Sequence, residues 1–522
     1  MHFRFQLMFL ASAMVSLSSV TALGETSTAR GVVFHDQNEN GTRDSGEPGI
    51  PGVLVSNQLE VVRTGADGSW ELPAREDCIF FVNKPSGWMT PVDDQMLPRF
   101  YHIHKPNGSP ASEFAGVAPT GPLPDSIDFP LYRQPEPGRF EAVFFADPQA
   151  RDQKELDYMA HDVIEELMGT GARFGVTLGD ILFDDLSLYD NHNALVALIG
   201  VPWYNVIGNH DLNFDAPNDR LSDETFERVY GPAYYAYSYG PVNFVVLDNV
   251  NWRGAGNGYD GNIGEEQLTF LSNLLPHLPE DELLMLLMHI PLQTTLDRER
   301  LFRLIEDRPY TMSIAGHTHW QAHHFLGEES GWKGETPHHH VVNVTVSGSW
   351  WGGEPDETGV PHTMMRDGAP NGYTIITFDG QQATVDFKAA RRPADYQIRV
   401  HAPESVNSTE ASSATVWANV FGGSEKSVTR FRIGNQGEWI EMTRTVEPDP
   451  VFVSLKKAEE EIGVENLRGR KLGGVVNSEH LWKAPLPAGL APGLHRIHIQ
   501  SDDQYGRVFH ANRAVRVVGA PE

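Results

Sequence analysis

Cysteine is almost missing from this chain. Its 522 residues contain one, Cys78, so no intrachain disulfide can form and no cysteine-based zinc site can be built. Nothing around Cys78 marks it as a nucleophile. Positive charge is scarce as well, with 40 Lys and Arg against 70 Asp and Glu and a formal net charge of −30. A surface this acidic repels polyanions. It lacks the basic footprint of a nucleic-acid or anionic-membrane binder, so no nucleic-acid partner is expected. Long apolar runs are confined to the N-terminus, and nothing later in the chain reads as a transmembrane segment. Internal repeats and low-complexity tracts are absent too.

The residues that are present suit packed domains. Hydrophobic residues make up 40% of the chain, enough for cores throughout. The length suggests about three domains. At the N-terminus, Arg4 precedes an apolar stretch from Phe5 to about Val20, and the small residues Ala22 and Gly24 follow. That order is expected of a secretory signal peptide over residues 1–24. An uncleaved anchor helix is the other reading, but the run is diluted with Ser and short for a bilayer. The expectation is a secreted or periplasmic protein with no membrane span after cleavage.

Residues 25–134 alternate short apolar runs with turns, as in Gly31 to Phe34, Gly52 to Val55 and Trp70 to Leu72, and predict a small β-sandwich. Residues 139–392 alternate strands and helices. Strands are predicted at Ala142 to Ala146, Phe174 to Leu178, Trp203 to Ile207, Leu283 to Met288, Tyr310 to Ala315 and His340 to Val346. Helices are predicted at Asp152 to Met168, Glu265 to Leu275 and Arg298 to Ile305. Residues 395–522 return to strands, with a charged helical insertion at Lys456 to Arg468. The fold class is α/β, a central layered α/β domain flanked by two β-sandwich domains.

Five polar clusters follow predicted strands of the central domain. They are Asp147-Pro148-Gln149, Gly179-Asp180, Gly208-Asn209-His210-Asp211, Met288-His289 and Gly316-His317-Thr318-His319. Open α/β sheets gather functional groups beyond the carboxyl ends of their strands, so the five should converge on one crevice. Carboxylate, carboxamide and imidazole are the ligand types for borderline divalent or trivalent metals. Each cluster alone is a weak signal; their order and context carry the reading.

In these motifs the central domain resembles the calcineurin-like metallophosphoesterase superfamily. The layout as a whole is similar to its secreted bacterial type, with β domains on both sides. The resemblance implies two divalent or mixed-valence metal ions (Mn, Fe or Zn) and a phosphate-ester substrate, monoester or diester. It implies Asp147, Asp180 and His319 as ligands of one ion, with Gln149 at the position of a fourth. Asp180, Asn209, His289 and His317 would hold the other, so Asp180 would bridge. It implies His210 as the catalytic histidine near the leaving-group oxygen. Only two of these ligands are charged, so two divalent ions would leave the site at about +2, attractive to a phosphate dianion. Two departures stand out. Gln149 replaces the family's usual His. Phe183 stands three residues after Asp180, where purple acid phosphatases place a ligating Tyr. Asp184 and Asp185 follow, and the sequence leaves open which of them, if either, assists His210.

Arg366, in the long polar and aromatic segment Ser347 to Tyr373, has the planar fork to hold a phosphate oxygen; a structural role is the other reading. Trp320 either lines the same pocket or packs beneath it. The run His338-His339-His340 reads as structural. A second metal signal lies near the N-terminus. Asp36, Asn38, Asn40, Thr42, Asp44 and Glu47 follow the EF-hand loop spacing with Gly41 at the turn, consistent with structural calcium or with an Asx-rich turn. The rival function is a non-catalytic secreted surface or binding protein on a decayed phosphatase core. All seven ligand positions carry coordinating residues, which argues against decay.

Overall fold

The computed structural model describes residues 27–519, so the expected signal peptide lies outside the described residues. In the N-terminal region, period-2 alternation makes a half-buried strand of Ser69–Ala74, with Trp70, Leu72 and Ala74 turned inward. It joins a four-stranded sheet with Ser27–His35, Phe129–Arg133 and Trp88–Met89. A second four-stranded sheet holds Val61–Arg63, Leu54–Ser56, Cys78–Asn83 and Tyr101–His104. Cys78 is buried in that sheet as one more apolar side chain.

The central region is two sheets face to face. Arg139–Phe145, Gly175–Leu178 and Trp203–Val206 run parallel, and Gly372–Asp379 with Gln382–Ala389 extends them as an antiparallel hairpin. The opposing sheet has a parallel core of Val242–Val246, Leu283–Leu287, Thr311–Ala315 and His338–Val342. Tyr235–Tyr239 and Ala322–Leu326 close its edges. These parallel strands are apolar nearly throughout because both faces are covered. Phe174 of one layer meets Phe244 of the other edge to face at 5.3 Å.

The helix expected from Asp152 starts at Gln153, capped by the Asp152 carboxylate, which accepts from the Glu155 N–H. It runs to Leu167 with one π-helical stretch, Ala160–Ile164, and buries Leu156, Met159, Val163, Ile164 and Leu167. Two expected elements are corrected. The strand read as His340 to Val346 is His338–Val342; beyond it Asn343 and Val346 bond to Ala315 and Ala146 and carry the chain over the strand ends. The helix read at Lys456 to Arg468 is Pro450–Ile462. Asp449 caps it, Pro450 opens its first turn, and Gly463 at φ +84° stops it.

Two further sheets, of four and five strands, build the C-terminal region around Val416, Ala418, Phe431, Trp482 and Ile497. A buried polar knot ties this region to the central one. His480 lies 2.9 Å from Asp367 Oδ2 and 2.8 Å from Asn419 Oδ1, and the Gln321 N–H donates to Asp367 at 2.8 Å. Among the described residues no helix is long and apolar enough to cross a membrane.

Candidate metal centre

The strands Arg139–Phe145, Gly175–Leu178, Trp203–Val206, Leu283–Leu287 and Thr311–Ala315 end at the same edge, and each is followed by one polar cluster. Leaving a strand so sharply demands unusual backbone. Asp147, Gln149, Asp180, His317 and His319 all have φ between +43° and +76°. Non-glycine residues enter that region at a cost of roughly 1 kcal/mol or more each, and such strain clusters at functional sites. The motif glycines allow close approach. A Cβ on Gly208 would stand 2.0 Å from the Asp180 nitrogen, and one on Gly316 would stand 2.5 Å from Asp147 Oδ2.

Asp147, Gln149, Asp180, Asn209, His289 and His319 are buried, while His317 and His210 are half-buried at the mouth. Side-chain oxygens and ring nitrogens converge here. His289 Nε2 is 3.2 Å from Asp180 Oδ1, 3.1 Å from Asn209 Oδ1 and 3.2 Å from His317 Nδ1. Asp180, His289 and His317 together present three ligand atoms within 4.8 Å of one another. On the other side, His319 Nε2 is 3.5 Å from Asp147 Oδ1. The Gln149 amide donates to Asp180 Oδ2 at 2.8 Å.

Asp147 Oδ1 and Gln149 Oε1 are buried and have no hydrogen-bond partner. A buried orphan oxygen costs about 1–3 kcal/mol unless something binds it. Both belong to the set expected to hold one ion, and the donor types suit Mn, Fe or Zn. The residues therefore fit a metal pair. Backbone contacts aim the imidazoles. His289 Nδ1 donates to the Leu178 carbonyl at 2.8 Å, and His319 Nδ1 donates to the Gly348 carbonyl at 2.5 Å, leaving each Nε2 free.

Burial pushes the Asp147 carboxyl up to about 8. Burial also opposes ionisation of Asp180, but the neighbouring His289 and His210 outweigh it and hold that carboxyl below the usual range. Burial disfavours charge on His289, yet Asp180 and Asp147 raise it to about 9. Burial lowers His317 to about 4 and His319 to about 3. Two adjacent carboxyls thus compete for one imidazolium, an imbalance that added cations relieve.

His210 stands beside this group. Its N–H donates to Asp180 Oδ1 at 2.9 Å. Its Nδ1 lies 2.5 Å from Asp184 Oδ1. Burial works against a charged His210, but Asp180 and the Asp184 hydrogen bond together raise its pKa. Asp184, at φ +68°, is therefore the carboxylate on His210, while Asp185 caps the turn Leu186–Leu188. Phe183 is no ligand. It stacks on His210 at 4.4 Å, and the Arg151 guanidinium lies 3.7 Å from the centre of its ring. Asp211 binds the two loops together, accepting from the Ile181 and Gly208 N–H groups and the Tyr189 hydroxyl.

Arg366 sits at the rim, 5.7 Å and 5.9 Å from the Trp320 and Trp350 rings. Its Nε donates to the Gly474 carbonyl at 3.0 Å and its Nη1 reaches the Thr318 carbonyl at 3.5 Å. Those two carbonyls give Arg366 a structural role. Trp320 lines a cavity of about 400 Å³ with Tyr259 and His317. Trp350 packs at a tilt against His319, ring centres 4.0 Å apart. Tyr259, 6.0 Å from His317, carried no sequence signal. His338, His339 and His340 lie on a sheet strand away from the centre; Ser313 Oγ is 2.7 Å from a ring nitrogen of both His338 and His340.

The loop from Asp36 to Glu47 closes on itself. Asp36 accepts from the Asn40 and Gly41 N–H groups, Glu47 accepts from Gln37 and Asp44, and Asn40 Oδ1 accepts from Thr42. The Asn38 and Asn40 amides both donate to Asp44 Oδ2 at 2.8 Å.

Residues 143–321 match the family model for calcineurin-like phosphoesterase. Residues 37–117 and 340–509 match the models for the N terminal and the C terminal of calcineurin-like phosphoesterase. No curated protein matches the chain in sequence. A solved structure of a purple acid phosphatase from yellow lupin (Lupinus luteus) seeds is similar at 14% identity and a TM-score of 0.36. The match takes in 69% of this chain and 66%, just under two thirds, of that one. The three family models fall in order along the chain with the site's clusters inside the central one, and the chain belongs to the calcineurin-like phosphoesterases, a family of metal-dependent phosphoesterases.

Proposed function

We propose that the protein hydrolyses a phosphate ester, monoester or diester, outside the cytoplasm, with two metal ions and His210 as general acid. One observation carries the reading. Seven coordinating side chains from five strand ends converge, two of their buried oxygens lack any partner, and His210 stands beside them on Asp184. Asp147, Gln149, Asp180 and His319 would hold one ion, and Asp180, Asn209, His289 and His317 the other. Bound ions would supply Lewis acidity toward the phosphoryl oxygens. The chain's own part is positional and protonic. The left-handed turns fix the ligands, the backbone carbonyls fix the imidazole tautomers, and Asp184 holds a proton on His210 for the departing alkoxide. Calcium at Asp36 to Glu47 belongs to the proposal as a structural ion, on the strength of its oxygen spacing.

One preparation tests this. Protein recovered from the periplasm or medium of an expressing host should begin near residue 25, carry two transition-metal ions and one calcium per chain, and turn over p-nitrophenyl phosphate. Asp180→Asn should lose the transition metals and the turnover together; Asp36→Ala should lose calcium alone. Metal-loaded protein without turnover would favour the decayed-core alternative. A cell-associated chain still starting at Met1 would overturn the location.

A further inference from the structure

The cations of this acidic chain are not spread evenly around the metal centre. A cavity of about 580 Å³ opens beside it, lined by Arg151, Trp350, Lys456, Arg470, Lys471 and Gly474. The near wall touches the site. Arg151 lies over Phe183, which stacks on His210, and Trp350 packs at a tilt against His319. The far wall comes from the C-terminal region, from the segment that follows the helix Pro450–Ile462. It is locked in place where the Gly353 N–H donates to the Arg470 carbonyl at 2.6 Å.

Two carboxylates hold this wall, and both are already committed. Glu155 is buried, accepts from the Arg151 N–H at 2.8 Å, and pairs with Arg151 at 3.5 Å and Arg470 at 2.7 Å. Glu459 pairs with Lys456 at 2.8 Å and accepts from the Leu472 N–H at 2.9 Å. Lys471 makes no ion pair or side-chain hydrogen bond among the described residues, so four cations face two carboxylates.

We infer that this cavity is a second anion subsite, and that the preferred substrate carries, besides the phosphoryl group that reacts, a further phosphate or equivalent anion on its leaving-group side. The inference rests on the proposed phosphoesterase reading and names the substrate class for it. The surrounding charge of −30 sharpens the selection. Diffuse attraction of polyanions is suppressed, and a second anion is welcome only where guanidinium and ammonium groups are gathered.

The test compares glucose 1,6-bisphosphate with glucose 6-phosphate in wild type and in an Arg470→Gln/Lys471→Gln double variant. Wild type should favour the bisphosphate in kcat/KM. The double variant should lose that preference by about tenfold, through a higher KM for the bisphosphate, as expected when charge-assisted contacts are removed. Equal kcat/KM for the two sugars in wild type, or a preference that survives in the variant, would overturn the subsite. If wild type turns over neither sugar nor p-nitrophenyl phosphate, the phosphoesterase reading fails on its own. The subsite is then decided by calorimetry of glucose 1,6-bisphosphate in EDTA. Binding weakened about tenfold in the variant supports it; no binding, or equal binding, rejects it.

Discussion

His210 and Asp184 form a unit whose function depends on the leaving group. The Asp184 carboxylate 2.5 Å from Nδ1 favours the protonated imidazole against burial, and in the proposed reaction Nε2 would deliver the proton. His210→Ala removes the acid without removing a ligand. It should retain two metals and lose roughly 10²–10⁴-fold in rate on an alkyl phosphate. The loss should be far smaller for p-nitrophenyl phosphate, whose phenolate needs little protonation. Equal losses on both esters, or loss of metal in the variant, would remove His210 from this role. At this scale the sequence pointed to His210 but left Asp184 and Asp185 undecided. They are neighbours in a loop, and only the left-handed turn at Asp184 separates the one that meets the imidazole from the one that caps the next turn.

Strand packing sets how accurately the ligands are held. Asp180 follows Gly175–Leu178, and that strand pairs with Trp203–Val206 so that Gly175 lies opposite Trp203. The indole lies across Gly175 and donates to Thr177 Oγ1 at 2.8 Å. A Cβ on Gly175 would stand 2.0 Å from the Trp203 ring. Gly175→Ala therefore forces the indole or the strand to move, at roughly 1–3 kcal/mol for overpacking. Thermal melting should show a lower Tm, and turnover should fall with it as Asp180 shifts. An unchanged Tm would show that the strand has slack. Element positions were legible from apolar runs and turn residues, as at Arg298–Ile305, where the expected helix and the observed one coincide. The C-terminal helix begins six residues before the charged stretch that signals it, because Asp449 and Pro450 start it ahead of its charges.

Across the molecule, burial has trapped histidines without charge. His192 is fully buried with neither ring nitrogen bonded, and burial pushes it down to about 3. His323 and His338 are held at about 3 for the same reason. Between about pH 3 and 6.5 the unfolded chain binds a proton at His192 that the folded chain refuses, so stability from that residue is lost as pH falls below 6.5. At pH 5 the loss is about 2 kcal/mol. Buried carboxyls pull the other way. Burial raises Asp162 to about 6 and Glu227 to about 7, so those groups stabilise the fold as pH falls through those values. The clean readout is therefore a difference. His192→Leu should gain on wild type by about 2 kcal/mol between pH 7.5 and pH 5 in denaturant titrations. A constant difference over that range would mean that His192 is protonated in the fold or reached by water.

The sequence by itself determined the class of fold and the residues that meet at the strand ends. Strand periodicity is local, and the carboxyl ends of neighbouring parallel strands must share an edge. Tertiary structure decided what touches that edge from far along the chain. The carbonyls of Gly474 and Thr318 took two of the Arg366 donors, and the segment after Pro450–Ile462 brought Arg470 and Lys471 beside Arg151. The Arg366 partners lie 108 and 48 residues away, Arg470 and Arg151 lie farther apart still, and all join loops without periodicity, so no local pattern encodes them. Packing of distant segments brings them together, and the buried knot of Asp367, Asn419 and His480 ties the C-terminal sheets to the residue beside Arg366.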